Sequence, residues 1–276
     1  MLMKGSFQHL SLRVYGAAAI VLCVIVLALF APLIAPYGES QIVSGMWESP
    51  SRDYLLGTDS LGRDMLSRII YGARNTGGIA VMATLLAFVF GVSSGFLSVV
   101  AGRVVDNIVG RIFDIVLSAP TLIVALFSLT MFGTGTLVLI LVIGITEGAR
   151  IYRVARATAI DIDVKDFVLV ARLRGESVRY LILKELLPNA FVPLMAEFGL
   201  RFCFVLLFIS TLSFLGLGLQ PPTADWGSMV RDNADAIGFG IFTPLVPAAA
   251  IAALTISINV IMDWFVSNYG VARNEA

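Results

Sequence analysis

The sequence is short of the residues that carry most covalent and metal chemistry. Of 276 residues one is histidine, His9, and two are cysteines, Cys23 and Cys203. A lone His near the N-terminus excludes a His-based zinc site, a His-Glu-x-x-His hydrolase and a serine triad. No Cys-x-x-Cys occurs, and the two cysteines lie far apart inside apolar runs, where they read as small buried hydrophobes. There is no Gly-x-x-x-x-Gly-Lys-Ser/Thr segment, so the chain cannot cradle nucleotide phosphates by that route. Charge is scarce as well: 14% of residues are Asp, Glu, Lys or Arg, 58% are hydrophobic, and mean hydropathy is +0.91. A soluble domain has about 25% charged residues, so this is an integral membrane protein. Net charge is zero, which leaves no electrostatic case for nucleic acid.

What is present is long apolar runs. Lys4 and Arg13 precede one from Val14 to about Ile34, too long for a secretory signal core of about 7 to 15 residues and with Pro32 and Pro36 crowding the cleavage position. It reads as a retained first helix. Six runs have the roughly twenty residues needed to cross about 30 Å of hydrocarbon, at about 14–34, 76–100, 108–132, 135–156, 192–215 and 242–266. The expected fold is therefore all-α and membrane-embedded. It is one domain over 1–276, with an N-terminal anchor helix at about 14–34, an outer segment at about 37–75 and a core at about 76–266. Six crossings leave both termini on one side. Arg52, Arg63, Arg68, Arg74 and Arg231 fall on one set of loops and the remaining Lys and Arg on the other, so the termini are cytoplasmic.

In the outer segment, Met65, Leu66, Ile69, Ile70 and Ala73 recur at helical spacing against Arg68 and Arg74. This pattern predicts a short helix on the membrane surface with Asp59 or Ser60 as N-cap. Gly91-x-x-x-Gly95 and Gly144-x-x-x-Gly148 would let helix backbones approach closely. Asp114, Glu147, Glu197, Arg201 and Asp263 are ionisable residues in or near spans. Glu197 with Arg201, Arg111 with Asp114, and Glu147 with Arg150 are spaced to pair on single helices, which favours structural pairing over an ion relay.

The most polar internal stretch runs from Arg150 to Asn189. It contains Asp166-Phe167-Val168-Leu169-Val170-Ala171-Arg172-Leu173-Arg174-Gly175 and, nine residues later, Glu185-Leu186-Leu187-Pro188-Asn189. This stretch resembles the cytoplasmic EAA loop of importer-type ABC permeases. Ala171, Gly175, Leu187 and Pro188 are kept, while Leu169 and Val170 stand where that family has Glu and Ala. Two outer stretches also look like signatures of the second permease subunit of dipeptide, oligopeptide and nickel importers. One is Gly57-Thr58-Asp59-Ser60-Leu61-Gly62-Arg63-Asp64 with Ser67 to Arg74; the other is Leu212 to Thr223 with Trp226-Gly227.

The resemblance implies a non-enzymatic, multi-pass subunit of a bacterial inner membrane, embedded in lipid and forming half of a solute path. Implied partners are a second homologous permease, two cytoplasmic ATPase subunits that bind ATP and Mg, and an extracytoplasmic solute-binding protein. Phe167, Val168, Val170, Ala171, Arg172, Gly175, Leu187 and Pro188 are the expected ATPase-coupling residues. Asp59, Arg63, Asp64, Pro221, Pro222 and Trp226 are candidates for docking the binding protein, and no cofactor or metal is expected on this chain. Dipeptides, oligopeptides, nickel chelates, opines and glutathione-like molecules all suit such permeases; the lack of intramembrane His or a Cys pair favours peptide. The rival readings are a stand-alone secondary transporter or channel, which would show inverted repeats and midplane charges, and an intramembrane enzyme.

Overall fold

Residues Leu12 to Val271 are described by a computed structural model. In chain order the helices are α1 (Leu12–Leu29), α2 (Ala31–Ile34), α3 (Met65–Val100), α4 (Arg103–Ser118), α5 (Thr121–Phe132), α6 (Thr136–Asp163), α7 (Asp166–Leu173), α8 (Val178–Tyr180), α9 (Leu187–Phe214), α10 (Trp226–Asp232) and α11 (Leu245–Val271). Among the described residues there is no strand, only two isolated bridges in the outer segment, Ile42 with Arg63 and Thr58 with Asp64. His9 lies outside the described residues. Of the two cysteines expected to be buried, Cys203 is, whereas Cys23 is exposed on α1.

Four helical runs are long and apolar enough to cross a membrane: α1, α3, the run Val178–Phe214, and α11; α4 with α5 makes a fifth if counted as one bent span. The run expected at 135–156 is α6, which is 28 residues long but carries Glu147, Arg150, Arg153 and Arg156 from its middle toward its C-terminal end. The short surface helix expected over 59–74 does not form as a separate element. Its apolar stripe is the first two turns of α3, a 36-residue helix capped by Asp64, whose carboxylate accepts from the backbone N–H of Ser67 at 2.8 Å. Neither Asp59 nor Ser60 is the cap.

The bend between α4 and α5 follows from Pro120. A residue before proline avoids the helical region, and Ala119 is extended (φ −94°, ψ 143°), so the two helices meet at 83°. The opposite solution appears at Pro188. Leu181–Leu186 forms a turn of π-helix in which the N–H of Leu187 bonds the carbonyl of Ile182, five residues back. Widening the helix there lets a proline with no N–H pass without a break, so helix runs unbroken from Val178 into α9, with Pro188 in the first turn of α9.

The two glycine motifs face one another. A Cβ at Gly91 would lie 2.6 Å from the carbonyl oxygen of Gly148 and 2.7 Å from Cβ of Ile151; one at Gly95 would lie 2.9 Å from Cβ of Ala155, and one at Gly144 would lie 2.6 Å from Leu86. In lipid no hydrophobic force drives helices together, so backbone contact of this kind supplies the packing. Residue numbers rise together along this seam, so α3 and α6 run in the same direction. At 1.5 Å per residue, the end of α3 and the start of α6 are about 30 Å apart along it, a distance α4 and α5 must cover.

Besides a small cluster of Phe113, Ala149 and Tyr152, two larger cores flank the seam. The larger joins α3, α6, α9 and α11 through Ala80, Ala83, Leu139, Ile143, Leu206, Ile209 and Leu254, with Met65 and Trp226 closing its outer end. The smaller gathers Phe96, Val100, Ala155, Ala159, Leu186 and Leu194 around Val168 and Ala171 of α7. Replacing Gly91 by Val puts three heavy atoms into this contact, an overpacking that costs about 1–3 kcal/mol or more. We expect a clear fall in the thermal midpoint of the detergent-solubilised protein. Gly77→Ala, which meets nothing within 4 Å, is expected to hold or raise it.

Candidate functional site

The polar stretch folds as α7, a turn at Arg174–Ser177, and the helical run that begins with α8. Gly175 makes the turn in the left-handed region (φ +78°), and the Glu176 N–H closes it on the carbonyl of Ala171. Only glycine adopts that φ without cost. Ser177 caps the next helix by accepting from the N–H of Tyr180.

α7 is apolar on both sides. Val168 and Ala171 are fully buried in the smaller core, whereas Leu169, Val170 and Leu173 are exposed on the opposite face and Phe167 is exposed at its margin. The coupling set expected from sequence is thus divided: Val168 and Ala171 anchor the helix to α3, α6 and the π-turn, and Val170 and Phe167 face outward. Leu169 and Leu173 belong to the outward face and were missed. Arg172 is held by Asp163 at 2.6 Å. Leu187 and Pro188 are exposed on the same end of the molecule, just beyond the π-turn.

At the other end, the two sequence-distant outer stretches form one cap. Asp59 is buried and accepts from Arg63 Nε at 2.7 Å and from the N–H groups of Leu61 and Arg63, with Arg68 Nε 3.3 Å away. Asn233 accepts from Trp47 Nε1 and the N–H of Ser60. Asp225 caps α10 and accepts from the Thr76 hydroxyl at 2.8 Å, while Trp226 lies over Gly72 and donates Nε1–H to the carbonyl of Ile69. Glu48 accepts from the Ser44 hydroxyl and the Gly45 N–H, which hold its carboxyl below the ordinary carboxylate range.

These contacts correct part of the docking assignment. Asp59, Arg63, Asp64 and Trp226 are buried fasteners of the cap and offer no surface; Pro221 and Pro222 are exposed. Glu39, Thr76, Asp225 and Asn233 hold the cap together, and no local spacing marks them, because their partners lie up to 186 residues away.

Between the two ends the charged residues join across helices. Glu147 bonds Arg150 on its own helix and Arg201 on α9, and Arg201 also bonds Glu197. Asp114 does not pair with Arg111 as its spacing suggests: Arg153 on α6 takes it at 2.8 Å, and Arg156 grips Asp106 with two nitrogens. Asp263 is exposed on α11.

The family model described as binding-protein-dependent transport system inner membrane component matches residues 87–270. The chain belongs to this family. It is a multi-pass membrane permease subunit of the ABC type rather than an enzyme. Among curated relatives, a dipeptide transport system permease of Alkalihalophilus pseudofirmus is 32% identical over 87% of this chain and 79% of that protein. A di/tripeptide transport system permease of Pseudomonas aeruginosa is 32% identical over 94% and 87%. An oligopeptide transport system permease of Bacillus subtilis is 30% identical over 93% and 84%. A crystal structure of an amino acid ABC transporter shares the fold with a TM-score of 0.55 at 17% identity, covering 72% of this chain and 93% of that one.

In this permease Asp59 is the counter-ion of two buried guanidiniums. Removing one partner of a buried pair costs about 3–5 kcal/mol. Asp59→Asn is therefore expected to lower the thermal midpoint strongly, whereas Arg52→Gln, on an exposed side chain, leaves it within error.

Proposed function

We propose that this permease forms half of the solute path of an ABC importer for peptides and transmits the work of two cytoplasmic ATPase subunits to it through α7. The observation that carries the reading is the outward face of α7, where Leu169, Val170 and Leu173 stand exposed, with the exposed Arg174 and Arg179 following in the chain. An apolar centre with a charged rim is the usual build of a protein interface. Peptide as solute is supported by the dipeptide, di/tripeptide and oligopeptide permeases among its relatives.

Six crossings with cytoplasmic termini complete the reading. The return of about 30 Å that α4 and α5 make between parallel helices equals the thickness of a bilayer core, which supports counting them as one crossing and α6 as another. The second permease subunit, ATP and Mg on the ATPase subunits, and a solute-binding protein docking near Pro221 and Pro222 belong to the same proposal.

Force transfer then has a physical route. Val168 and Ala171 share one close-packed core with Phe96 of α3, Ala155 of α6 and Leu186 of the π-turn, so α7 cannot shift without carrying those helices. ATP-driven closure of the ATPase pair would favour one arrangement of the spans only through a difference in binding energy between states.

Leu173→Asp places a charge on a residue that is 88% exposed in this chain, so the permease should fold normally. The ATPase subunits that co-purify with it should fall at least about tenfold, as a charge buried in an apolar contact demands. Normal co-purification and uptake would sink the proposal. Gly175→Arg, which forces a side chain into the left-handed region at a cost of about 1–3 kcal/mol, should spare the spans but separate ATP hydrolysis from uptake in proteoliposomes.

A further inference from the structure

The break between α4 and α5 opens a cavity of about 600 Å³ lined by Ser118, Pro120, Thr121, Arg150, Arg153 and Arg201, among others. Its wall carries three guanidiniums and no carboxylate. Their counter-ions are not among the lining residues: the buried Glu147 holds Arg150 and Arg201, the half-buried Glu197 holds Arg201 as well, and Asp114 holds Arg153 from α4. Each guanidinium has five N–H donors, and these ion pairs occupy only some of them. Arg150 also donates to the Thr121 hydroxyl at 2.7 Å, which fixes its head beside the first turn of α5. That twelve-residue helix starts without a side-chain cap, so its first backbone N–H groups and the positive end of its dipole face the same region.

Three cations, a hydroxyl and an uncapped helix start around a space of this size match a small anionic group. A volume of this order accepts a short peptide, and the cavity lies about 20 Å along α6 from its coupling end. We infer that the cavity is a station on the solute path that grips the C-terminal carboxylate of the transported peptide. The inference rests on the peptide-importer reading and adds what the path itself recognises. A peptide carboxylate and a lipid phosphate share this chemistry, and the test separates them.

The test uses the assembled importer in proteoliposomes, with its binding protein saturated separately by trialanine or by trialanine amide, and reads uptake per ATP hydrolysed. The wild type should move the free acid about tenfold better than the amide, the order of effect of losing a charge-assisted bond. Two variants avoid leaving a buried orphan charge. Arg153→Gln frees only the exposed Asp114, and Glu147→Gln with Arg150→Gln removes both members of a pair. In each, the acid-to-amide ratio should fall close to one while the thermal midpoint of the complex holds. An unchanged ratio in the folded variants, or a ratio of one in the wild type, overturns the inference and leaves the peptide reading standing. A ratio that shifts when phosphatidylglycerol is left out of the liposomes assigns the guanidiniums to lipid phosphate and also overturns it. A wild-type complex that hydrolyses ATP and imports neither probe overturns the peptide reading, and the inference with it.

Discussion

Backbone contact between α3 and α6 is the constraint on which the rest of the structure depends. Glycines at 91, 95, 144 and 148 bring the two helices close enough that a single methyl group would collide. Because the helices run in the same direction, the chain between them has to travel back the full length of the seam, and two short helices joined at a proline make that journey. The larger core, the smaller core and the cavity at the break are all arranged around this one pair.

Charge is the second organising element. The ionisable residues join α6 to α9 through Glu147 and Arg201, and α4 to α6 through Asp114, Asp106 and two arginines. Where such pairs are buried, as Glu147 with Arg201 is, they add little net stability over a hydrophobic replacement, but breaking one is costly. Their effect is to set which face of each helix meets its neighbour, since a rotation of either helix would strand a charge. The outer cap works by the same rule, with Asp59 holding Arg63 of the preceding loop and Arg68 of α3.

The apolar runs were legible because membrane crossing imposes a length on them, and each falls on helical chain, although the run at 108–132 is split by Pro120 into α4 and α5, bent at 83°. The start of α3 was not. Met65, Ile69 and Ala73 with Arg68 look like a surface helix, because Arg68 is neutralised by Asp59 from a preceding loop and helical periodicity carries no information about off-helix partners. For the same reason Asp114 was given its own-helix neighbour Arg111 instead of Arg153. The stretch around α7 stood out through Ala171, Gly175, Leu187 and Pro188, yet an eight-residue helix with apolar residues on both sides does not disclose which side is inward. Packing against Phe96 and Leu186 decides that Val168 and Ala171 turn in and that Leu169 and Leu173 turn out.

The outward leucines of α7 also bear on the fate of the subunit before it is complete. A lone copy displays Leu169, Val170 and Leu173 on the face of α7 turned away from the smaller core. Such a patch is sticky by the same physics that makes it a contact. On the proposed function, an unassembled chain would carry its own mark of incompleteness, a site for self-association or proteolysis that vanishes once a partner covers it. Synthesis of this chain in excess of its partners should be self-limiting, with stoichiometry kept by the removal of orphans.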